Sequence, residues 1–121
     1  MKLLAAIIAS LSMLAPAQAD TREDIRAVAP ALEKYRESVV MGDVWLRPDL
    51  APRDRSLTTV SALIANGQAA QLNGHINIGM NNGLEQDEIA EAITHLAFYI
   101  GWPNAFSAMQ VAKDTFEKRP R

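Results

Sequence analysis

The sequence contains no cysteine among its 121 residues. This absence excludes a disulfide framework, a thiolate nucleophile, a redox CxxC pair and any zinc or iron–sulfur site with cysteine ligands. The sequence also lacks an excess of positive charge, since 12 lysine and arginine residues face 14 acidic ones and the formal net charge is −2. Because there is no basic cluster to neutralise phosphates, nucleic acid is not an expected partner.

Long apolar runs are also missing, except at the N-terminus. Lys2 precedes an apolar stretch over residues 3–15, and Ala17-Gln18-Ala19 places small residues at the spacing of a cleavage site. This pattern predicts a signal peptide over residues 1–19, cut after Ala19, since the stretch is short for a membrane span. We therefore expect residues 20–121 to form one periplasmic or secreted domain, with no membrane contact after cleavage and without disulfides to stabilise it.

The first part of the expected domain has helical periodicity. A helix capped by Asp20 or Thr21 is predicted, with acidic residues in its first turn. Pro30 falls inside the helix and should kink or split it. Its apolar positions recur at three and four residues: Ile25, Val28, Leu32 and Tyr35. Residues 41–52, which mix glycine and proline with apolar side chains, are interpreted as an ordered, packed connection.

Four further helices are predicted. They begin at Pro52, near Gln68, after Glu85 and at Pro103, and Asn82-Gly83 and Gly101 mark two of their ends. The first should bury Leu57, Val60, Leu63 and Ile64, and the last Ala105, Ala108, Met109, Ala112 and Phe116. No segment alternates with period two for long enough to be a strand, so the predicted fold class is all-α.

Two histidines are the side chains that titrate near neutral pH by default. His75 shares a helix face with Gln68 and Gln71, and a second face carries Glu91, His95, Tyr99 and Trp102. A carboxylate four residues before an imidazole can fix its tautomer and raise its basicity, as acid–base catalysis requires. Either histidine could instead be a half-buried residue satisfied by its own helix.

Other kinds of site have weaker signals. Glu91, His95 and His75 offer three metal ligands, but no helical turn carries two histidines, and no metal site is predicted. The sequence has no GxSxG, GxGxxG or P-loop motif, and its serines have no base at local spacing. Arg53 and Arg55 flank Asp54 at a helix start, where they could hold a substrate carboxylate or form a surface ion-pair cluster or a subunit contact.

Four blocks of sequence then suggest a family. They are residues 50–60 (LAPRDRSLTTV), 67–75 (GQAAQLNGH), 82–91 (NGLEQDEIAE) and 93–105 (ITHLAFYIGWPNA). In this order and spacing, the chain resembles the carboxymuconolactone decarboxylase family over roughly residues 35–116. The resemblance implies a compact antiparallel bundle of about five to six helices, as in alkylhydroperoxidase D, assembled as a homotrimer or homohexamer with sites near subunit interfaces.

The peroxidase branch of that fold uses a CxxCxxxH motif and an upstream glutamate. In this chain His75 matches the histidine of the motif, Gln68 and Gln71 stand in place of its cysteines, and Ser56 stands in place of the glutamate. A chain without a sulfur nucleophile has no route to reduce a peroxide in this way. An antioxidant protein of the peroxidase branch is therefore the least favoured alternative.

The decarboxylase branch lacks those cysteines, and this chain is similar to it. The resemblance implies a lyase that needs no cofactor and acts on a small carboxylated lactone or related acid, with His75 as proton carrier or oxyanion donor. The other expected site residues are Gln68 and Gln71 as donors, Arg53 or Arg55 for a carboxylate, and His95, Tyr99 and Trp102 as a second wall. Carboxymuconolactone is a cytoplasmic intermediate, so predicted export leaves the substrate open. A non-catalytic binding or structural homologue is the main alternative.

Overall fold

The computed structural model describes residues 22–119; the predicted signal peptide and the cap at residues 20–21 lie outside this part of the chain. The all-α prediction is confirmed, because the described residues form helices and no strand. The α-helices are α1 (Arg22–Val28), α2 (Pro30–Tyr35), α3 (Pro52–Ala65), α4 (Ala69–Asn81), α5 (Gln86–Ile100) and α6 (Trp102–Lys118).

Helices α3–α6 form the bundle. The most extensive packing is between α3 and α4 and between α5 and α6, while α4 also packs on α6 and α3 on α5. Val60 and Ile64 are buried as predicted, and Leu57 and Leu63 pack partly buried against the same core. The other core residues are Leu72 and Ile76 from α4, Leu84 from the α4–α5 connection, Ile89, Ile93 and Ala97 from α5, and Ala105, Ala108 and Ala112 from α6.

The predicted helix ends are also confirmed. Gly83, after α4, has φ of 105°, and Gly101, between α5 and α6, has φ of 93°, a region that glycine enters without steric cost. The N–H of Leu84 donates to the carbonyl of Gly79 at 2.9 Å, which closes the end of α4. Helix α5 begins with a capping box, in which the backbone N–H of Glu85 donates to the Glu88 carboxylate at 3.1 Å.

Residues 22–46, here called the arm, precede the bundle. They comprise α1, α2, a π-helical turn (Arg36–Met41) and a 3-10 turn (Val44–Leu46). As predicted, the first helix is split at Pro30, into α1 and α2. Each of these elements packs mainly on its neighbour within the arm. Glu33, buried at 2% exposure, accepts hydrogen bonds from Arg36 at 2.7 and 3.0 Å, which joins α2 to the π-helical turn.

Two expectations about burial are wrong. Residues 41–52 were expected to be packed, yet Leu46 is 72% exposed and Leu50 37%. Met109 was expected to point into the core, yet it is 41% exposed. Hydrophobic spacing identifies the apolar face of a helix, but it does not say whether another part of the same chain covers that face.

Candidate functional site

His75 lies on α4 between the buried residues Leu72 and Ile76, at the edge of the apolar face of that helix. Its side chain is half-buried, and Nδ1 is fully buried without a hydrogen-bond partner in the described residues. Burial lowers the pKa of the imidazole below its ordinary value. Burial therefore favours the neutral form of His75 at pH 7, and its Nδ1 is left without a hydrogen-bond partner inside the described part of the chain.

The two glutamines that precede His75 differ in exposure. Gln68 is exposed at the N-terminal boundary of α4, and Gln71, one turn from His75, is half-buried. Ser56 is buried at 1% exposure and its hydroxyl accepts a hydrogen bond from Asn82 Nδ2 at 2.9 Å. Ser56 thus joins the start of α3 to the end of α4, and this contact gives it a structural role.

Arg53 and Arg55 have different electrostatic surroundings at the start of α3. Arg53 pairs with Asp54 at 3.0 Å and also with Glu88 on α5, so carboxylates of the chain already neutralise it. Arg55 donates from Nη2 to the carbonyls of Arg47 and Leu50, at 3.0 and 3.3 Å. Its Nε is buried without a partner, and Arg55 forms no ion pair with a carboxylate of residues 22–119.

His95 lies on the exposed side of α5, above an open cleft between α3 and α5. The ring of Tyr99 lies 4.9 Å from the imidazole, centroid to centroid, at 31°. The cleft has a volume of about 620 Å³ and is lined by Leu57, Ser61, Asp87, Glu88, Glu91, Ala92, His95 and Leu96. Of the three carboxylates in this set, Glu88 is paired with Arg53, and Glu91 lies one helical turn from His95.

The structure brings only some of the predicted site residues together. His95 and Glu91 line the α3–α5 cleft, whereas Trp102 lines a separate groove between α5 and α6, and His75 lines neither. The sequence analysis did not identify Leu57 and Ser61 as cleft residues. Their spacing of four places them on one face of α3, but only the packing of α3 on α5 aims that face at His95.

Neither a metal-binding cluster nor a membrane-spanning helix is found in the part of the chain that the structure describes. Within residues 22–119, no three or more histidine, aspartate or glutamate side chains are grouped so that they could hold a metal ion. No helix in the same range combines the length and the apolar character needed to cross a membrane.

Comparison with known proteins decides the family. The sequence profile of the carboxymuconolactone decarboxylase family matches residues 30–114, which is most of the chain and includes α3, α4, α5 and most of α6. The chain belongs to this family. The resemblance inferred from the four sequence blocks is therefore confirmed.

Two members of the carboxymuconolactone decarboxylase family illustrate what the chain is similar to. It is 40% identical over 76 residues to the 4-carboxymuconolactone decarboxylase of Acinetobacter baylyi, a match that covers 63% of this chain and 57% of that protein. It is 39% identical over 74 residues to the nitrosuccinic acid decarboxylase of Metarhizium robertsii, covering 61% and 52%. The chain thus spans little more than half the length of the curated relatives it matches.

Proposed function

We propose that this chain is a carboxy-lyase that releases carbon dioxide from a small carboxylated lactone or related acid. Two relatives with different named substrates are both decarboxylases, which supports decarboxylation as the shared chemistry. The observation that carries the proposal is the buried, unpartnered Nδ1 of His75. Buried polar atoms are rarely left unpaired in folded proteins, so an orphaned one on a candidate residue points to a ligand.

The proposed reaction needs little from the protein beyond hydrogen bonds. When the C–C bond to the carboxylate breaks, its electron pair moves onto the carbonyl oxygen of a conjugated lactone, or onto a nitro oxygen in a nitro acid. The products are carbon dioxide and an enolate or a nitronate. Since burial favours the neutral form of His75, its imidazole donates an N–H to the enolate or nitronate oxygen rather than acting as a charged acid. The proton that returns to carbon is taken up from water.

Charge favours Arg55 over Arg53 as the group that holds a substrate carboxylate. Arg53 already pairs with two carboxylates, whereas the described contacts of Arg55 are with neutral carbonyl oxygens. Its unpartnered Nε is the second orphaned atom, and it lies on α3, the helix that packs on the helix of His75. A planar guanidinium suits a carboxylate ligand.

The same reasoning disfavours the α3–α5 cleft as the place for an anionic substrate. Glu91 lines that cleft one helical turn from His95, and a like charge at short range raises the free energy of a bound carboxylate. A catalytic role for His95 stays a prediction. In our proposal the reactive group is His75.

Release of carbon dioxide from 4-carboxymuconolactone and from nitrosuccinic acid tests the proposal. We expect turnover of at least one such acid, with His75→Gln lowering kcat by about 10²–10³-fold, as loss of one oxyanion donor does. Arg55→Gln should raise KM, while the matched Arg53→Gln should leave KM nearly unchanged. If no carboxylated lactone or acid is turned over while ligand binding persists in the His75→Gln protein, the chain is a binding homologue.

We also propose, independently of the reaction, that this chain is exported from the cytoplasm. The N-terminal sequence pattern supports a mature chain that begins at Asp20 and acts outside the cytoplasm. N-terminal sequencing of the protein recovered from a periplasmic or culture fraction tests this. A chain recovered from the cytoplasmic fraction with Met1 intact would contradict it.

A further inference from the structure

Asparagine is followed directly by glycine three times in this chain, at residues 66–67, 73–74 and 82–83. In such a pair the glycine backbone nitrogen can attack the side-chain carbonyl carbon of the asparagine, because glycine has no Cβ that hinders the approach. The reaction needs an asparagine side chain that is free to turn toward that nitrogen. The contacts of the three side chains therefore decide which pair reacts.

The pairs at residues 66–67 and 82–83 have closely matched backbones. Asn66 caps the C-terminus of α3 with φ −85° and ψ 1°, and Asn82 caps the C-terminus of α4 with φ −89° and ψ 3°. Each is followed by a glycine of positive φ whose N–H donates to a helix carbonyl at 3.1 Å. Both pairs lie at helix ends, which open locally at a low cost in free energy. The backbone therefore does not distinguish them.

The side chains of these two asparagines are held differently. Asn82 is half-buried, and its Nδ2, the atom that would leave, donates to Ser56 Oγ at 2.9 Å. Asn66 is exposed, and its side chain forms no hydrogen bond with residues 22–119. The side chain of Asn66 can therefore turn toward the next backbone nitrogen without breaking a contact, whereas that of Asn82 cannot.

The third pair is held on both sides. Asn73 lies inside α4, where the helical backbone keeps the nitrogen of Gly74 in the hydrogen-bond ladder. Its Oδ1 accepts hydrogen bonds from Thr115 Oγ1 at 2.9 Å and from Asn77 Nδ2 at 3.2 Å. Both the nucleophile and the carbonyl group are thus restrained at this pair.

We propose that Asn66 is a site of spontaneous deamidation, with the chain as nucleophile and water as co-reactant. The Gly67 nitrogen bonds to Cγ of Asn66, the Cγ–Nδ2 bond breaks, and ammonia leaves with the proton that the backbone nitrogen gives up through solvent. Water then adds to either carbonyl of the five-membered imide and opens it to aspartate or isoaspartate. This modification does not depend on the proposed decarboxylation.

The position of Asn66 gives the modification a structural consequence. Asn66 lies two residues before Gln68, in the short joint between α3 and the helix that carries His75. A new carboxylate at the C-terminus of α3 is unfavourable next to the negative end of the helix dipole. Isoaspartate also lengthens the backbone in this joint, where the N–H groups of residues 66 and 67 cap α3 carbonyls. We expect the modified protein to melt at a lower temperature.

Incubation of the full protein in mildly alkaline buffer, followed by fragment-ion mass spectrometry, measures all three pairs in one sample. We expect Asn66 to react first. Asn82 should react about 2- to 10-fold more slowly, because one hydrogen bond of ordinary strength must open first. Asn73 should react most slowly. Asn66→Gln should prevent both the early modification and the accompanying fall in Tm.

Two controls test whether the fold sets this order. Ser56→Ala removes the acceptor of Asn82 and should speed deamidation at Asn82 while leaving the rate at Asn66 unchanged. In concentrated urea the three pairs should react at similar rates, and this comparison does not require any variant to fold. The proposal is overturned if Asn66 reacts no faster than Asn82 in the folded protein, or if the order in buffer persists in urea.

Discussion

At the scale of single residues, the two histidines have opposite environments although both lie on long helices of the bundle. His75 is half-buried with an orphaned nitrogen, whereas His95 is exposed and covered on one side by Tyr99. Burial disfavours the charged form of an imidazole, and this gives His75 a consequence for stability as well as for chemistry.

We predict that His75 makes the free energy of unfolding fall as the pH drops below about 6.5. The pKa of His75 is lowered in the folded protein, so between the two pKa values the unfolded chain binds a proton that the folded chain does not. Above that range His75 is neutral in both the folded and the unfolded chain, and its protonation no longer changes the free energy of unfolding. Urea denaturation at pH 7.5 and 5.5 should show a smaller loss in His75→Gln than in the wild type. If wild type and His75→Gln lose the same free energy of unfolding between pH 7.5 and 5.5, the burial of His75 does not contribute to the pH dependence of stability.

Two glycines of α4 form a matched pair for a second prediction. A Cβ added at Gly74 would meet nothing within 4 Å, whereas one at Gly79 would come within 2.8 Å of Leu84 Cδ1 and 3.4 Å of Ser56 Cβ. Gly74→Ala should therefore stabilise the protein by about 0.5–1 kcal/mol, since alanine is the better helix former. Gly79→Ala should be less stable than Gly74→Ala by about 1–3 kcal/mol, because buried Leu84 must move.

Thermal and urea unfolding of both alanine variants at one protein concentration would check this pair. Similar stabilities in the two variants would mean that the close approach of α4 to Leu84 relaxes without cost. A Gly74→Ala variant that is destabilised would instead show that something packs closely on that face of α4.

At the scale of secondary-structure elements, the start of α5 combines two functions in one side chain. Glu88 accepts the backbone N–H of Glu85 in the capping box, and it also pairs with Arg53 on α3. The first contact stabilises α5 itself, and the second fixes α5 relative to α3. Glu88 is therefore part of a tertiary contact as well as of the helix cap.

We predict that the two contacts of Glu88 can be separated by substitution. Glu88→Gln keeps an oxygen for the cap but loses the charge, and it should cost no more than about 0.2–1 kcal/mol, the range for a partly exposed ion pair. Glu88→Ala loses both the cap and the ion pair. It should lower the free energy of unfolding by about 1 kcal/mol more than Glu88→Gln does, as loss of a cap does. Denaturation of both variants in the wild-type and Arg53→Gln backgrounds measures how much the Arg53–Glu88 ion pair contributes to the free energy of unfolding. If Glu88→Gln destabilises equally in both backgrounds, Arg53 contributes nothing.

The elements differ in how far sequence could predict them. The four bundle helices follow from proline and glycine at their ends and from apolar spacing, and the structure has them at the expected positions. The arm shows the same spacing, but its apolar face is exposed. Periodicity identifies an apolar face without telling whether another part of the same chain packs on it. The α3–α5 cleft was missed for a related reason, since Ser61 and His95 come to line one cleft only through packing between distant segments.

At the scale of the whole molecule, the chain places substantial apolar surface outside its core. The arm and the α5–α6 groove lie on separate parts of the chain, and both are uncovered in one copy. A protein without cysteine that is expected in an oxidising compartment has no disulfide to compensate for this exposure. Contact between copies would bury both surfaces and contribute directly to folding stability.

We predict that the melting temperature rises with protein concentration. If copies of the chain associate as the family resemblance implies, a tenfold increase in concentration should raise the Tm by about 3–5 °C for a domain of this size, by mass action. Leu32→Glu places a charge in the exposed apolar face of the arm and should remove most of this dependence, because burial of an unpaired carboxylate is unfavourable. Calorimetry over a hundredfold range of concentration, with Lys34→Glu as the matched control on the same helix, measures the effect. A wild-type Tm that does not change over that range would show that the folded chain is stable without its neighbours, and the arm would then need another explanation.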